Sequence, residues 1–206
     1  LWPDVKSSFD QRRAIETLAQ HRLGIITGGP GTGKTTAVAR LLECLLRAEG
    51  GLTVALAAPT GKATARMSES IRASLAQDPD LYPKLSEAFE EGRVQAHTLH
   101  KWLVMPTKSG KMPGPEHPIA FDVFVVDEAS MIDAGLALRF FDAADAAGSR
   151  VYLLGDKYQL AAVGPGAIFA ELTDADSPIA RLVGSLFVSH RFTDDSQVGA
   201  LSRAIN

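Results

Sequence analysis

Gly28-Gly29-Pro30-Gly31-Thr32-Gly33-Lys34-Thr35-Thr36 is the stretch on which the reading of this chain turns. It satisfies G-x-x-x-x-G-K-[ST], a loop that cradles phosphates. Its flanks agree with that. Leu23-Gly24-Ile25-Ile26-Thr27 is a short apolar run and reads as a buried strand. Ala37, Val38, Leu41, Leu42, Leu45 and Leu46 recur at helical spacing, and Gly50-Gly51 supplies the stop. Glycines let backbone N–H groups converge on phosphate oxygens without Cβ interference. The helix start adds unpaired N–H groups and the positive end of its dipole. Gly29, Pro30, Gly31, Thr32, Gly33, Lys34, Thr35 and Thr36 are therefore the candidate nucleotide-binding residues. In such a site the lysine reaches the β- and γ-phosphates and the following hydroxyl, here Thr35, holds Mg²⁺. ATP and Mg²⁺ are the expected ligands. The alternative, a glycine-rich turn with an exposed lysine, does not account for the strand and helix on either side.

Outward from the loop, a second apolar run ends in carboxylates. Asp122-Val123-Phe124-Val125-Val126-Asp127-Glu128 reads as a buried strand. Two carboxylates at such an end cost desolvation unless a metal or ligand meets them. Asp127 suits the Mg²⁺ shell, and Glu128, off the strand, suits a general base for water. Arg150-Val151-Tyr152-Leu153-Leu154-Gly155-Asp156 is a further strand, with Gln159 just past it. A neutral amide there can touch both the γ-phosphate and the water.

Thr53-Val54-Ala55-Leu56-Ala57-Ala58 reads as a strand that runs into Pro59-Thr60-Gly61-Lys62 and a helix to about Gln77. This repeats the anion-binding arrangement at a second strand end, though an ordinary strand-to-helix turn has the same residues. Ser8-Phe9-Asp10-Gln11 fits a capping box opening a helix to about His21. Gln11 is either the cap partner or a reader of the adenine edge. Shorter helices are expected over about Pro83–Glu91, Asp133–Ala147 and Pro165–Leu172, a strand at Leu186-Phe187-Val188, and a last helix near Gln197–Ile205.

The segment from Gly92 to Gly114 holds no acidic residue. Arg93, Lys101, Lys108 and Lys111 lie there with His97, His100 and Trp102 interleaved. Cations among aromatics suit single-stranded nucleic acid; a solvated face with Trp102 in the core fits the same composition. Prolines around Lys108-Ser109-Gly110-Lys111 suggest an exposed loop or hairpin near 104–118. The whole chain is mildly acidic, net −3 from 24 acidic and 21 basic residues, so any nucleic-acid contact must be local. The 206 residues suffice for one α/β domain. No apolar run reaches membrane-span length, no charged-then-apolar leader opens the chain, and Cys44 is the single cysteine. A cytoplasmic protein without a membrane anchor is expected. The start at Leu1 suggests an excised domain.

Taken together, GGPGTGKTT (28–36), APTGKATARM (58–67), HTLHKWL (97–103), VVDEASM (125–131), LLGDKYQLAAVGPGAIFAEL (153–172), SHRF (189–192) and GALSRAIN (199–206) resemble the first RecA-like motor domain of superfamily 1 DNA helicases. The likeness is greatest to the RecD family, the alpha chains of exodeoxyribonuclease V. It implies a three-layer α/β/α RecA-like P-loop NTPase domain with a mostly parallel sheet. It further implies a 5′-to-3′ motor on single-stranded DNA, in a helicase–nuclease complex with beta and gamma chains that serves double-strand-break repair. By the same resemblance Gln11 contacts adenine, Lys34, Glu128, Gln159 and Arg191 are catalytic, and Asp127 assists the metal. Pro59, Thr60, Gly61, Lys62, Thr98 and His100 line the single-strand track. A RecD N-terminal domain and a second RecA-like domain are expected to lie outside residues 1–206. A stand-alone relative with the same motifs, a P-loop kinase and a non-catalytic nucleotide-dependent clamp are the other readings. Glu128 beside Asp127, with Gln159 downstream, serves water attack better than transfer to an acceptor.

Overall fold

The structure, a computed structural model, describes residues 9–105, 113, 116–156, 158–159 and 168–186, with the backbone alone at 9–11 and 13. Among the described residues six strands form one sheet in the order β3-β2-β4-β5-β1-β6. They are β1 (Leu23–Gly28), β2 (Val54–Ala58), β3 (Val94–Thr98), β4 (Val123–Val126), β5 (Arg150–Gly155) and β6 (Val183–Leu186). Every pairing is parallel. Parallel sheets need cover on both faces, because each crossover lays a helix on one of them. The helices are α1 (Phe9–Ala19), α2 (Lys34–Ala48), α3 (Gly61–Gln77), α4 (Pro83–Glu90), α5 (Leu99–Val104), α6 (Ala134–Ala146) and α7 (Ile168–Leu172).

Strand alternation sorts the core into two layers. Val54 and Leu56 of β2, with Val123 and Val125 of β4, pack against residues of α1 to α4. Ala55, Ala57, Phe124 and Val126 point the other way, onto α5, α6 and α7. The three-layer α/β/α expectation is met, and the described part of the sheet is wholly rather than mostly parallel. Among the described residues no helix is long and apolar enough to cross a membrane.

The structure departs from the sequence pattern at three places and decides one open alternative. The basic stretch carries no strand pattern, yet β3 lies there, at the sheet edge beside β2. With one partner strand and only Val94 fully buried, it needs little apolar sequence. Of the two readings open for Trp102, base stacking and a place in the core, the structure bears out the core. It is 2% exposed, it donates from Nε1 to the Leu56 carbonyl (3.2 Å), and its ring meets Phe121 edge-on at 4.8 Å. β6 covers Val183–Leu186, so it starts before the expected 186–188, of which 187 and 188 lie outside the described residues. Helix α5 extends to Val104, so the loop read near 104–118 starts after it. Most of that loop, Arg191 and the terminal helix lie outside the described residues.

Candidate nucleotide-binding site

The first crossover builds the loop. β1 ends at Gly28 and α2 starts at Lys34. Gly31 and Gly33 hold φ of 81° and 82°, the left-handed region that L side chains avoid. Gly33 is the N-cap, so no side chain closes the first turn of α2. That turn is left for an anion. Thr32 is buried, and its hydroxyl donates to the Gly29 carbonyl (3.0 Å), bracing the loop from inside. The Lys34 ammonium donates back to the Gly28 carbonyl (2.5 Å) and the Gly29 carbonyl (3.1 Å). Burial pushes its pKa down, against the pull of Asp127, Asp156 and Glu128.

Parallel pairing brings β4 and β5 to the same edge of the sheet. The Asp127 N–H still follows the ladder, donating to the Ala57 carbonyl (2.9 Å). Glu128 then leaves it with φ 53° and ψ 38°, and its N–H donates to Asp127 Oδ1 (2.9 Å). Burial raises the Asp127 pKa, a little offset by the Glu128 N–H, Lys34 and Arg66. Burial and then the Asp127 charge raise that of Glu128. Asp156 follows β5 and is 6% exposed. Its Oδ1 accepts from the Tyr158 N–H (3.0 Å), and its carbonyl accepts from the Gln159 N–H (3.1 Å). This turn carries Gln159 to the site.

These residues share one cleft of about 690 Å³. Pro30, Gly31, Thr32, Gly33, Lys34, Thr35, Thr36, Asp127, Glu128 and Gln159, all picked from sequence, line it. So do Arg40, Arg66, Met67, Ser70, Gly155 and Asp156, which were not picked. Asp156 had a readable signal, a carboxylate directly after an apolar strand, like Asp127. Gln11 falls in α1, with only its backbone described.

A second groove, of about 440 Å³, opens at the neighbouring strand ends. Ala58 of β2 pairs with Thr98 of β3, so α3 and α5 start side by side. Gly61 and Thr98 are in its wall with Arg72, His97 and Lys101; Pro59, Thr60, Lys62 and His100 are not. Lys62 and His100 are exposed nearby in sequence. The hydroxyls of Thr60 and Thr98 have structural duties as helix caps, accepting from the N–H groups of Ala63 and Lys101 (3.2 Å each).

A glycine loop among charged and hydroxyl-bearing strand ends suits a phosphorylated ligand. The model of the AAA domain family matches residues 6–206. The RecBCD enzyme subunit RecD of Mycobacterium tuberculosis is 38% identical over 214 residues, which take in 98% of this chain and 36% of that protein. The ATP-dependent RecD2 DNA helicase of Deinococcus radiodurans is 37% identical over 171 residues, 82% of this chain and 20% of the relative. The chain thus spans about a third or less of these relatives' length. In fold it is similar to a structure of Pif1 helicases solved for DNA unwinding at forked duplexes, with a TM-score of 0.57 at 19% identity over 97% of this chain and 48% of that one. The glycine loop, the paired carboxylates and an identity that runs the length of the chain lead to one assignment: this chain belongs to the AAA domain family, as a RecD-like member of it.

Proposed function

We propose that this chain is the ATP-hydrolysing motor domain of a 5′-to-3′ DNA helicase of RecD type. The observation that carries the reading is the convergence of Lys34, Asp127, Glu128 and Gln159 on one cleft at the strand ends. The residues fit Mg·ATP. Among the described residues no cluster of three His, Cys, Asp or Glu side chains could hold a metal alone. Mg²⁺ commonly takes one or two carboxylates and completes its shell with substrate phosphates and water. Asp127, raised in pKa by burial, is a carboxylate that a cation would relieve, and Thr35, which carries a hydroxyl, lines the same cleft. When bound, the ion neutralises charge on the phosphates.

The chain's own residues then do the following. The amides of the loop and of the first turn of α2 seat the phosphates. Lys34 exchanges the Gly28 and Gly29 carbonyls for phosphate oxygens, which restores an anionic partner to a buried ammonium. Glu128 accepts the proton of the attacking water. Its raised pKa brings it nearer the operating pH of a base. Gln159 orients the water and senses the γ-phosphate. Arg191 adds a cation, and Gln11 reads the adenine. The groove beside α3 and α5 carries single-stranded DNA, with Pro59, Thr60, Gly61, Lys62, Thr98 and His100 along its path. The protein works in the cytoplasm with beta and gamma chains of an exodeoxyribonuclease V. The 37% identity to the RecD2 helicase favours, as second reading, a helicase that works without such partners.

Glu128→Gln tests the hydrolytic reading. Loss of a general base typically costs about 10²–10⁴-fold in turnover, while the neutral amide keeps the shape needed to bind ATP. Retained nucleotide binding with turnover within threefold of wild type would remove Glu128 from this role. Co-purification of the full-length protein with beta and gamma chains separates the two helicase readings.

A further inference from the structure

Arg66 has no part in the loop, and in APTGKATARM it reads as an ordinary exposed position on a helix. Yet it lines the nucleotide cleft, together with Met67 and Ser70 of the same helix. The topology explains how. β2 pairs with β4, with Ala57 beside Val126, so α3 starts next to the residues in which β4 ends. Among the described residues, Lys34 on α2 and Arg66 on α3 are the two cations whose fields reach both Asp127 and Glu128, one from each helix flanking the cleft. Among the described residues no hydrogen bond or ion pair occupies the Arg66 guanidinium.

Among the described residues three carboxylates line the cleft, Asp127, Glu128 and Asp156. A terminal phosphate placed there for attack by water brings further negative charge against them. The α2 end supplies Lys34. Arg40, the other cation in the lining, is turned toward the Tyr82 hydroxyl. Arginine presents a planar fork that meets phosphate oxygens two at a time. We propose that Arg66 binds the γ-phosphate of ATP from the α3 side, so that the site tells ATP from ADP. The inference rests on the ATP reading above. It follows from which phosphate lies where. The glycine loop and the start of α2 hold the β-phosphate, which ADP and ATP have in common. The next phosphate lies toward Asp127 and Glu128, where the Arg66 field is felt. A residue that engages only that phosphate leaves ADP binding unchanged.

The test is calorimetric titration of the purified protein with Mg·AMP-PNP and with Mg·ADP, for wild type, Arg66→Ala and Arg66→Lys. Hydrogen bonds to charged groups are strong enough that losing this contact should raise the AMP-PNP Kd about tenfold or more. The ADP Kd should stay within threefold. Arg66→Lys should fall between, because it keeps the charge and loses the fork. The side chain is exposed, so truncation leaves no cavity, and a thermal melt of each variant checks folding. Equal losses for the two nucleotides, or no loss for either, overturn the proposal. A wild-type protein that binds neither nucleotide overturns the ATP reading itself, and this one with it.

Discussion

Glu128 is the residue at which fold and chemistry disagree most. Among the described residues it is the one non-glycine position with positive φ, at 53°. Left-handed backbone costs an L residue roughly 1–2 kcal/mol, and such outliers cluster where function over-determines the conformation. Here the twist takes the carboxylate off the β4 axis directly after Asp127, whose own N–H is still bound to the sheet. The strain can be separated from the charge. At an ordinary position glycine is less stable than alanine by about 0.5–1 kcal/mol. At this one the order should reverse, with Glu128→Gly more stable than Glu128→Ala by about 1 kcal/mol, since glycine adopts the conformation freely. Both variants should lack turnover. Urea denaturation of the pair is the measurement. An alanine variant at least as stable as the glycine one would mean that the backbone relaxes and no strain is held there.

At the scale of elements, α2 supports two neighbours. Its first turn serves the phosphate cradle, and its third holds Glu43, whose side chain is only 3% exposed. The N-cap of α4, Tyr82, offers no side-chain hydrogen bond. Glu43 takes that duty across the fold. Its oxygens accept from the N–H groups of Leu85 (2.8 Å) and Lys84 (3.3 Å), and from Arg47 Nε (2.6 Å). A buried carboxylate on a helix N-terminus is well placed, but its removal strands donors in the core. Glu43→Ala should cost about 3 kcal/mol in denaturant unfolding, the scale for breaking a buried pair from one side. Glu43→Gln, which keeps an acceptor, should cost clearly less. Equal stability of the Ala variant and wild type would show that water replaces the carboxylate. This tie links residues 41 apart or more and has no local sequence pattern, which is why it was not legible. The same limit applied elsewhere. Continuous apolar runs gave away β1, β2, β4 and β5, because strands in mid-sheet are buried on both faces. Edge strand β3 has one neighbour and a mixed sequence, Val94-Gln95-Ala96-His97-Thr98, and escaped notice. Loop residues of the site followed from spacing, whereas Arg40, Arg66 and Ser70 reach the cleft only through the packing of α2 and α3 over the sheet.

Across the whole molecule, the two candidate sites share a wall. Arg66, Met67 and Ser70 of α3 line the nucleotide cleft, and Gly61, Ala65 and Arg72 of the same helix line the groove beside β3. The charge of the molecule decides how a strand could bind there. A net −3 offers a nucleic acid no general attraction, so affinity must come from a few cations held near the groove. Lys62 is such a cation, exposed in the first turn of α3 beside Gly61 and the Thr60 cap. Each phosphate neutralised on a single strand contributes about 0.7 to the slope of log K against log salt. Lys62→Ala should therefore weaken oligonucleotide binding whatever the base sequence, and flatten the slope by about 0.7, one contact's worth. Lys84→Ala is the control. It removes the same charge from α4, where Lys84 is paired with Glu87 at 2.7 Å, and should leave the slope as it was. Fluorescence titrations of a labelled single strand over a range of salt, for the three proteins, measure both effects. If Lys62→Ala keeps the wild-type slope, Lys62 is off the strand's path. If both variants flatten it equally, binding is a diffuse response to net charge and the groove has no special claim to the DNA.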